Sequence, residues 1–101
     1  MGHSTLGRMR LDMAALVADV RRTLAFDYAG REIEWKVGAL PVIEADPTMM
    51  RLVWQNLLSN AVKFTREREH AVIEIGCERT DEENIFFVRD NGCGFDMRYV
   101  D

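Results

Sequence analysis

Gln55-Asn56-Leu57-Leu58-Ser59-Asn60-Ala61-Val62-Lys63-Phe64-Thr65 is the stretch that decides how this chain folds. It continues a segment opened by Asp46-Pro47, a strong helix start. An aspartate there can accept hydrogen bonds from the first-turn amides, and proline suits the first helical position. The spacing predicts a helix to about Phe64 or Thr65, with Val53, Leu57, Ala61 and Phe64 along one apolar side. At about 100° per residue, Asn56, Asn60 and Lys63 fall within roughly 60° of one another, on a stripe beside that side. Asparagine is a mediocre helix former because its side chain competes for backbone hydrogen bonds, so two in line with a lysine need a reason. A solvated polar edge is one such reason. The other is chemical: amide oxygens are hard ligands suited to Mg²⁺, and a lysine ammonium suits phosphate.

Upstream, Met9 to Leu11 reads as a short strand and Asp12 as a helix N-cap. Leu16, Val17, Val20 and Leu24 then recur at helical spacing, predicting an amphipathic helix from about Met13 to Phe26, with Gly30 beyond its end. Ile33, Trp35 and Val37 alternate with charged residues as in a half-buried strand, and a second extended piece covers Val42 to Ala45. Downstream, Ala71 to Glu78 alternates again, Thr80 to Asn84 is a polar turn, and Ile85 to Val88 is the partner strand of an antiparallel hairpin. Helices combined with an antiparallel or mixed sheet give an α+β fold, a two-layer α/β sandwich.

The hairpin runs into Asp90-Asn91-Gly92-Cys93-Gly94-Phe95-Asp96. Gly92 and Gly94 permit positive φ and close approach of a ligand to the backbone. The Asp90 carboxylate can accept a hydrogen bond from an exocyclic amine. Taken alone, the loop reads as an ordinary glycine turn with an Asx cap. It is neither a dinucleotide fingerprint nor a phosphate-binding P-loop, because the third glycine and the Gly-Lys-Ser/Thr sequence are absent. It is not a calcium loop either, since the acidic positions do not fit.

Taken together, the two segments read differently. Asn56 to Thr65 resembles the N box of sensor histidine kinases, and Asp90 to Phe95 resembles their G1 box. The spacing from Asn60 to Asp90 suits that family. Leu40-Pro41-Val42-Ile43-Glu44-Ala45-Asp46-Pro47 and the helix before it are similar to the same domain, so the resemblance spans roughly residues 10–101. The ending Gly94 to Tyr99 is similar to kinases with phytochrome-like or other soluble sensors.

The resemblance implies a Bergerat-type ATP fold, shared with DNA gyrase, the ninety-kilodalton heat-shock chaperone and mismatch-repair ATPases. It implies ATP and Mg²⁺ as cofactors. Asn60 becomes the Mg²⁺ ligand, Lys63 a phosphate contact, and Asn56 a polar group near the metal and its waters. Asp90 becomes the reader of the adenine amine, with Gly92 and Gly94 flanking the base. In the ATPase branches, a glutamate that activates water resembles the position of Asn56. An amide cannot take a proton, which favours a kinase over a hydrolase. Phosphoryl transfer asks mainly for positioning and charge neutralisation.

The family's phosphoacceptor stands in a His-Glu or His-Asp context on a separate helix. Here His3 precedes Ser4 and His70 precedes Ala71, so neither matches and no catalytic residue is assigned. No second glycine box follows before Asp101. The expectation is residues 1–9 as tag or linker and 10–101 as an ATP-binding domain incomplete at its C-terminus. Such a chain would not autophosphorylate and would bind ATP weakly or not at all. Its unfinished sheet invites a homodimer through the open edge. A dimerisation and phosphoacceptor domain and a response regulator are the partners the resemblance implies for the parent. An ATPase of the same fold and a non-enzymatic module that has lost its nucleotide site are the alternatives.

Composition agrees with a small domain: 101 residues, 48% apolar, formal net charge −4. No basic block exists to displace counterions from nucleic acid, so that partner class is set aside. Cys77 and Cys93 form no C-x-x-C pair, which argues against zinc and a disulfide framework and for free thiols in a reducing cytoplasm. No apolar run approaches the ~20 residues that span a bilayer, which leaves membrane association to the parent.

Overall fold

The computed structural model describes residues 7–92 and 96–100. Strand β1 (Met9–Asp12) ends on a residue whose carboxylate accepts from the Ala15 amide at 3.2 Å, the N-cap that starts α1 (Met13–Thr23). β1 takes in Met9, and Arg8 already donates to the Glu44 carbonyl at 2.6 Å. Helix α1 buries Met13, Leu16, Val17 and Val20. It stops at Thr23, short of Phe26, and the chain tightens into a 3₁₀ turn at Ala25–Tyr28. That turn swings Tyr28 back, so its hydroxyl donates to the Arg21 carbonyl at 3.1 Å and its ring meets Trp35 at 5.5 Å. Phe26, the expected end of the helix, lies in this turn and is left 93% exposed.

Strand β2 (Ile33–Val37) pairs in parallel with β4 (Ala71–Arg79), so a crossover must join them. The crossover consists of β3 (Val42–Ala45) and the long helix α2 (Pro47–Phe64). β3 does not join the main sheet; it forms a two-stranded antiparallel ribbon with β1, Leu11 facing Ile43. β5 (Asn84–Asp90) is antiparallel to β4, with Ile75 opposite Val88. β6 (Asp96–Val100) pairs antiparallel with β5, a strand the sequence reading did not foresee. The main sheet therefore runs β2-β4-β5-β6.

One face of this sheet meets both helices around a core that includes Trp54, Phe86, Leu58, Ile73, Ile75 and Val88. Trp54 and Phe86 meet edge to face at 5.7 Å. The buried side of α2 is Met50, Trp54, Leu58, Ala61 and Val62. The expected side (Val53, Leu57, Ala61, Phe64) is displaced: Val53 and Leu57 are only half-buried and Phe64 is 37% exposed. Roughly 75° of rotation separates the two centres at about 100° per residue. Trp54 sets this angle, because the largest apolar side chain gains most from burial. On the other face of the sheet, the Phe87 ring lies over Gly76, where a Cβ would sit 2.5 Å from Cζ. The Arg89 guanidinium covers that ring at 4.6 Å and also meets Glu74 at 3.0 Å. A phenyl ring is thus buried on a face that otherwise carries charge.

Candidate nucleotide site

Turning Trp54 inward turns the Asn56–Asn60–Lys63 stripe outward. All three residues are exposed, and among the described residues none of their side chains has a hydrogen bond or ion pair. The helix that carries them is fixed elsewhere. Asp46 accepts from the Thr48 and Met49 amides at 2.9 and 3.4 Å, closing the N-terminus.

The loop after β5 is pinned on two sides. Asp90 ends the strand opposite Ile73, 7% exposed, and its carboxylate accepts the Gly92 amide at 2.7 Å. Asn91 locks the loop to the start of β4. Its side-chain oxygen accepts from the Val72 amide at 3.0 Å, its side-chain nitrogen donates to the His70 carbonyl at 3.1 Å, and its own amide donates to the Val72 carbonyl at 3.2 Å. Gly92 then packs on the end of α2, where a Cβ would fall 2.1 Å from the Phe64 carbonyl oxygen and 3.0 Å from Thr65 Cα.

The sequence allows Gly92 a positive φ as well as close approach of a ligand. Among the described residues only Gly30 has positive φ, at 81°. Gly92 needs to be glycine because a helix end, not a left-handed turn, occupies the space of its side chain. This contact sets Asp90 and Gly92 at the C-terminal end of α2, the helix whose exposed stripe carries Asn56 near its middle and Asn60 and Lys63 towards that end. Gly94, like Cys93 and Phe95, lies outside the described residues.

Two residues near this junction escaped the sequence reading of the site. Arg31 donates to the Val62 carbonyl at 2.8 Å, the Thr65 carbonyl at 2.7 Å and the Thr65 hydroxyl at 3.0 Å. The Thr65 hydroxyl in turn donates to the Ala61 carbonyl at 2.8 Å, with the residue fully buried. The available signal was an absence: α2 ends without a glycine, yet its last carbonyls require partners. A guanidinium meets that need and also suits the negative end of the helix dipole.

Among the described residues no three His, Cys, Asp or Glu side chains gather closely enough to hold a metal ion. A cation here would rest on amide oxygen, phosphate and water, a set that suits Mg²⁺ and not zinc. Nor is there an enclosed pocket among the described residues. Cys77 stands apart from it, and burial pushes its thiol up, away from the reactive thiolate. Among the described residues no helix is long and apolar enough to cross a membrane.

Residues 45–101 match the family model described as histidine kinase-, DNA gyrase B-, and HSP90-like ATPase. Cyanobacterial phytochrome A of Nostoc sp. is 45% identical over 62 residues, 61% of this chain and 8% of that protein. The methanogenesis regulatory histidine kinase FilI of Methanothrix harundinacea is 41% identical over 56 residues, 55% of this chain and 6% of that protein. The chain thus spans less than a tenth of the length of these two relatives. Among solved structures, full-length ShkA in complex with AMPPNP superposes with a TM-score of 0.69 at 31% identity, covering 89% of this chain and 20% of that one.

Proposed function

We propose, since the chain belongs to the histidine kinase-, DNA gyrase B- and HSP90-like ATPase family and carries the ATP-binding fold of its sensor histidine kinases, that Asn56, Asn60, Lys63, Asp90 and Gly92 form the nucleotide site of such a kinase. One observation carries this reading: the Gly92 backbone packs against the Phe64 carbonyl, setting the Asp90 loop at the end of a stripe whose side chains have no partner among the described residues.

Each residue then does what its chemistry allows. Asp90, held in the β5 ladder, accepts a hydrogen bond from the adenine amine. Gly92 keeps the backbone beside the base bare. The Asn60 amide oxygen ligates Mg²⁺, Asn56 orders the water around it, and the Lys63 ammonium meets phosphate oxygens. Bound Mg·ATP supplies the phosphoryl group and neutralises part of its charge. In the whole protein, a dimerisation and phosphoacceptor domain presents the histidine, and a response regulator receives the phosphoryl group from it. An ATPase of the same fold is the less favoured reading, because the Asn56 amide cannot act as a general base for water.

Chemical-shift mapping of the 101-residue chain with millimolar Mg·ATP tests this directly, and it reads weak binding. Shifts should concentrate at Asn56, Asn60, Lys63, Asp90 and Gly92. Asp90→Asn should remove the adenine-dependent shifts, and Asn60→Ala should remove the difference between samples with and without Mg²⁺. Shifts confined to other surfaces, or none at all, overturn the site. Release of inorganic phosphate by the chain alone would favour the hydrolase reading.

A further inference from the structure

We propose that Arg31 is a positioning residue that sets the two halves of the nucleotide site against each other; this rests on the site reading above. The guanidinium reaches from the loop before β2 to the last turn of α2, where it holds the carbonyls of Val62 and Thr65 at 2.8 and 2.7 Å. The two residues bracketed by that grip are Lys63 and Phe64. Lys63 carries the phosphate-facing ammonium. Phe64 supplies the carbonyl against which Gly92 is seated, with no room for a Cβ.

One fork therefore fixes both the end of the stripe and the seat of the loop. Asp90 is independently fixed, being paired with Ile73 in the sheet. Loosening the last turn of α2 should move Lys63 and the Gly92 seat while leaving Asp90 in place. A planar guanidinium can hold two carbonyls and a hydroxyl at set angles; a lysine ammonium on a flexible stem cannot hold the same geometry.

The test compares Arg31→Met and Arg31→Lys with Arg51→Met. Arg51 pairs with Asp19 at 2.6 Å and takes no part in the site. First, amide hydrogen exchange is read in the full chain without nucleotide. Arg31→Met should speed exchange at Thr65, Arg66 and Gly92 by about tenfold, leave the middle of α2 near Trp54 within about twofold, and Arg31→Lys should fall between. Second, affinities for Mg·ATP and for adenosine are measured. Arg31→Met should weaken Mg·ATP by about tenfold and adenosine by less than about twofold. Arg51→Met should leave their ratio unchanged even if it lowers the unfolding midpoint.

Gly92 exchange that does not respond to Arg31→Met or Arg31→Lys overturns the proposal. So does an unchanged affinity ratio, which would make Arg31 a helix cap and nothing more. Failure of the wild-type chain to bind either nucleotide counts against the site reading instead, and the exchange data still decide whether Arg31 couples helix end to loop. Should Arg31→Met fail to fold, Arg31→Lys carries both measurements.

Discussion

The two sides of α2 obey opposite physics. On the inner side Met50, Trp54, Leu58, Ala61, Val62 and Thr65 are buried, and the apolar ones pack on the sheet. On the outer side Asn56, Asn60 and Lys63 are exposed, without protein partners among the described residues, in line with exposed Met49 and Leu52. The inner side is explained by what it excludes from water. The outer side does nothing for the fold that its neighbours do not do better, since alanine or glutamate would suit a solvated helix more than asparagine. Two asparagines that cost helix stability and gain no side-chain contact among the described residues are what the proposed nucleotide would explain.

The strongest way to break this contrast is to attack the inner side. Trp54→Ala should cost about 3–5 kcal/mol. Small domains have roughly 5–15 kcal/mol in total, so the variant should be largely unfolded or close to it in a urea titration. A cost below about 1 kcal/mol would mean that Trp54 does not set the rotation of α2. Next comes the junction. Gly92→Ala places a methyl 2.1 Å from the Phe64 carbonyl oxygen, which is backbone and cannot swing away. The loop must shift, at about 1–3 kcal/mol, and nucleotide binding should fall although no predicted ligand contact has been removed from α2. Unchanged stability and binding would show that the loop and helix end are not in contact in solution.

Substitutions on the outer side should behave in reverse. Asn60→Ala and Lys63→Ala should change unfolding free energy by no more than about 0.5 kcal/mol, Asn60→Ala in the favourable direction because alanine is the better helix former. Both should nevertheless weaken Mg·ATP binding severely, Asn60→Ala through the metal and Lys63→Ala through phosphate. A stability loss comparable to that of Gly92→Ala would assign the stripe a structural role and erase the distinction between the two sides.

How much of this was legible in the sequence follows the range of the forces involved. Short-range signals were readable. Asp12 and Asp46 cap their helices as expected, Pro47 sits at the start of α2, and the alternation around Ile73 and Ile75 forms β4. The family motifs were readable too, because they place several residue types at fixed spacing. The rotation of α2 was not, since Val53 and Leu57 fit an apolar side as well as Leu58 and Val62 do; only packing of Trp54 against Phe86 separates the choices. β6 comes after Gly92 and Gly94 in the sequence and is held by pairing with β5, a contact no local pattern announces. The role of Arg31 was hidden most completely, because its partners lie 31 and 34 residues away and are backbone atoms that carry no sequence signature.

The smallest expected effect lies at the border of the two sides, where Arg51 of α2 reaches Asp19 of α1 at 2.6 Å and Arg22 joins at 2.7 Å. The hydrogen bond from Arg51, with that from Arg22 behind it, holds the Asp19 carboxyl below the usual carboxylate range. A carboxylate lowered in the folded state stabilises the fold above its unfolded value, and that contribution disappears as the pH falls through the folded value. Asp19→Asn should therefore lower the urea midpoint slightly at pH near 7. The gap from wild type should narrow steadily once the pH drops below about 4, where the unfolded carboxylate begins to hold its proton. Added salt should narrow it at neutral pH as well, because the pair is exposed to solvent and screened. A gap that persists unchanged in acid and in high salt would mean that Asp19 acts through packing or helix propensity and not through its charge. The boundary between the buried and exposed sides of α2 would then be drawn by shape alone.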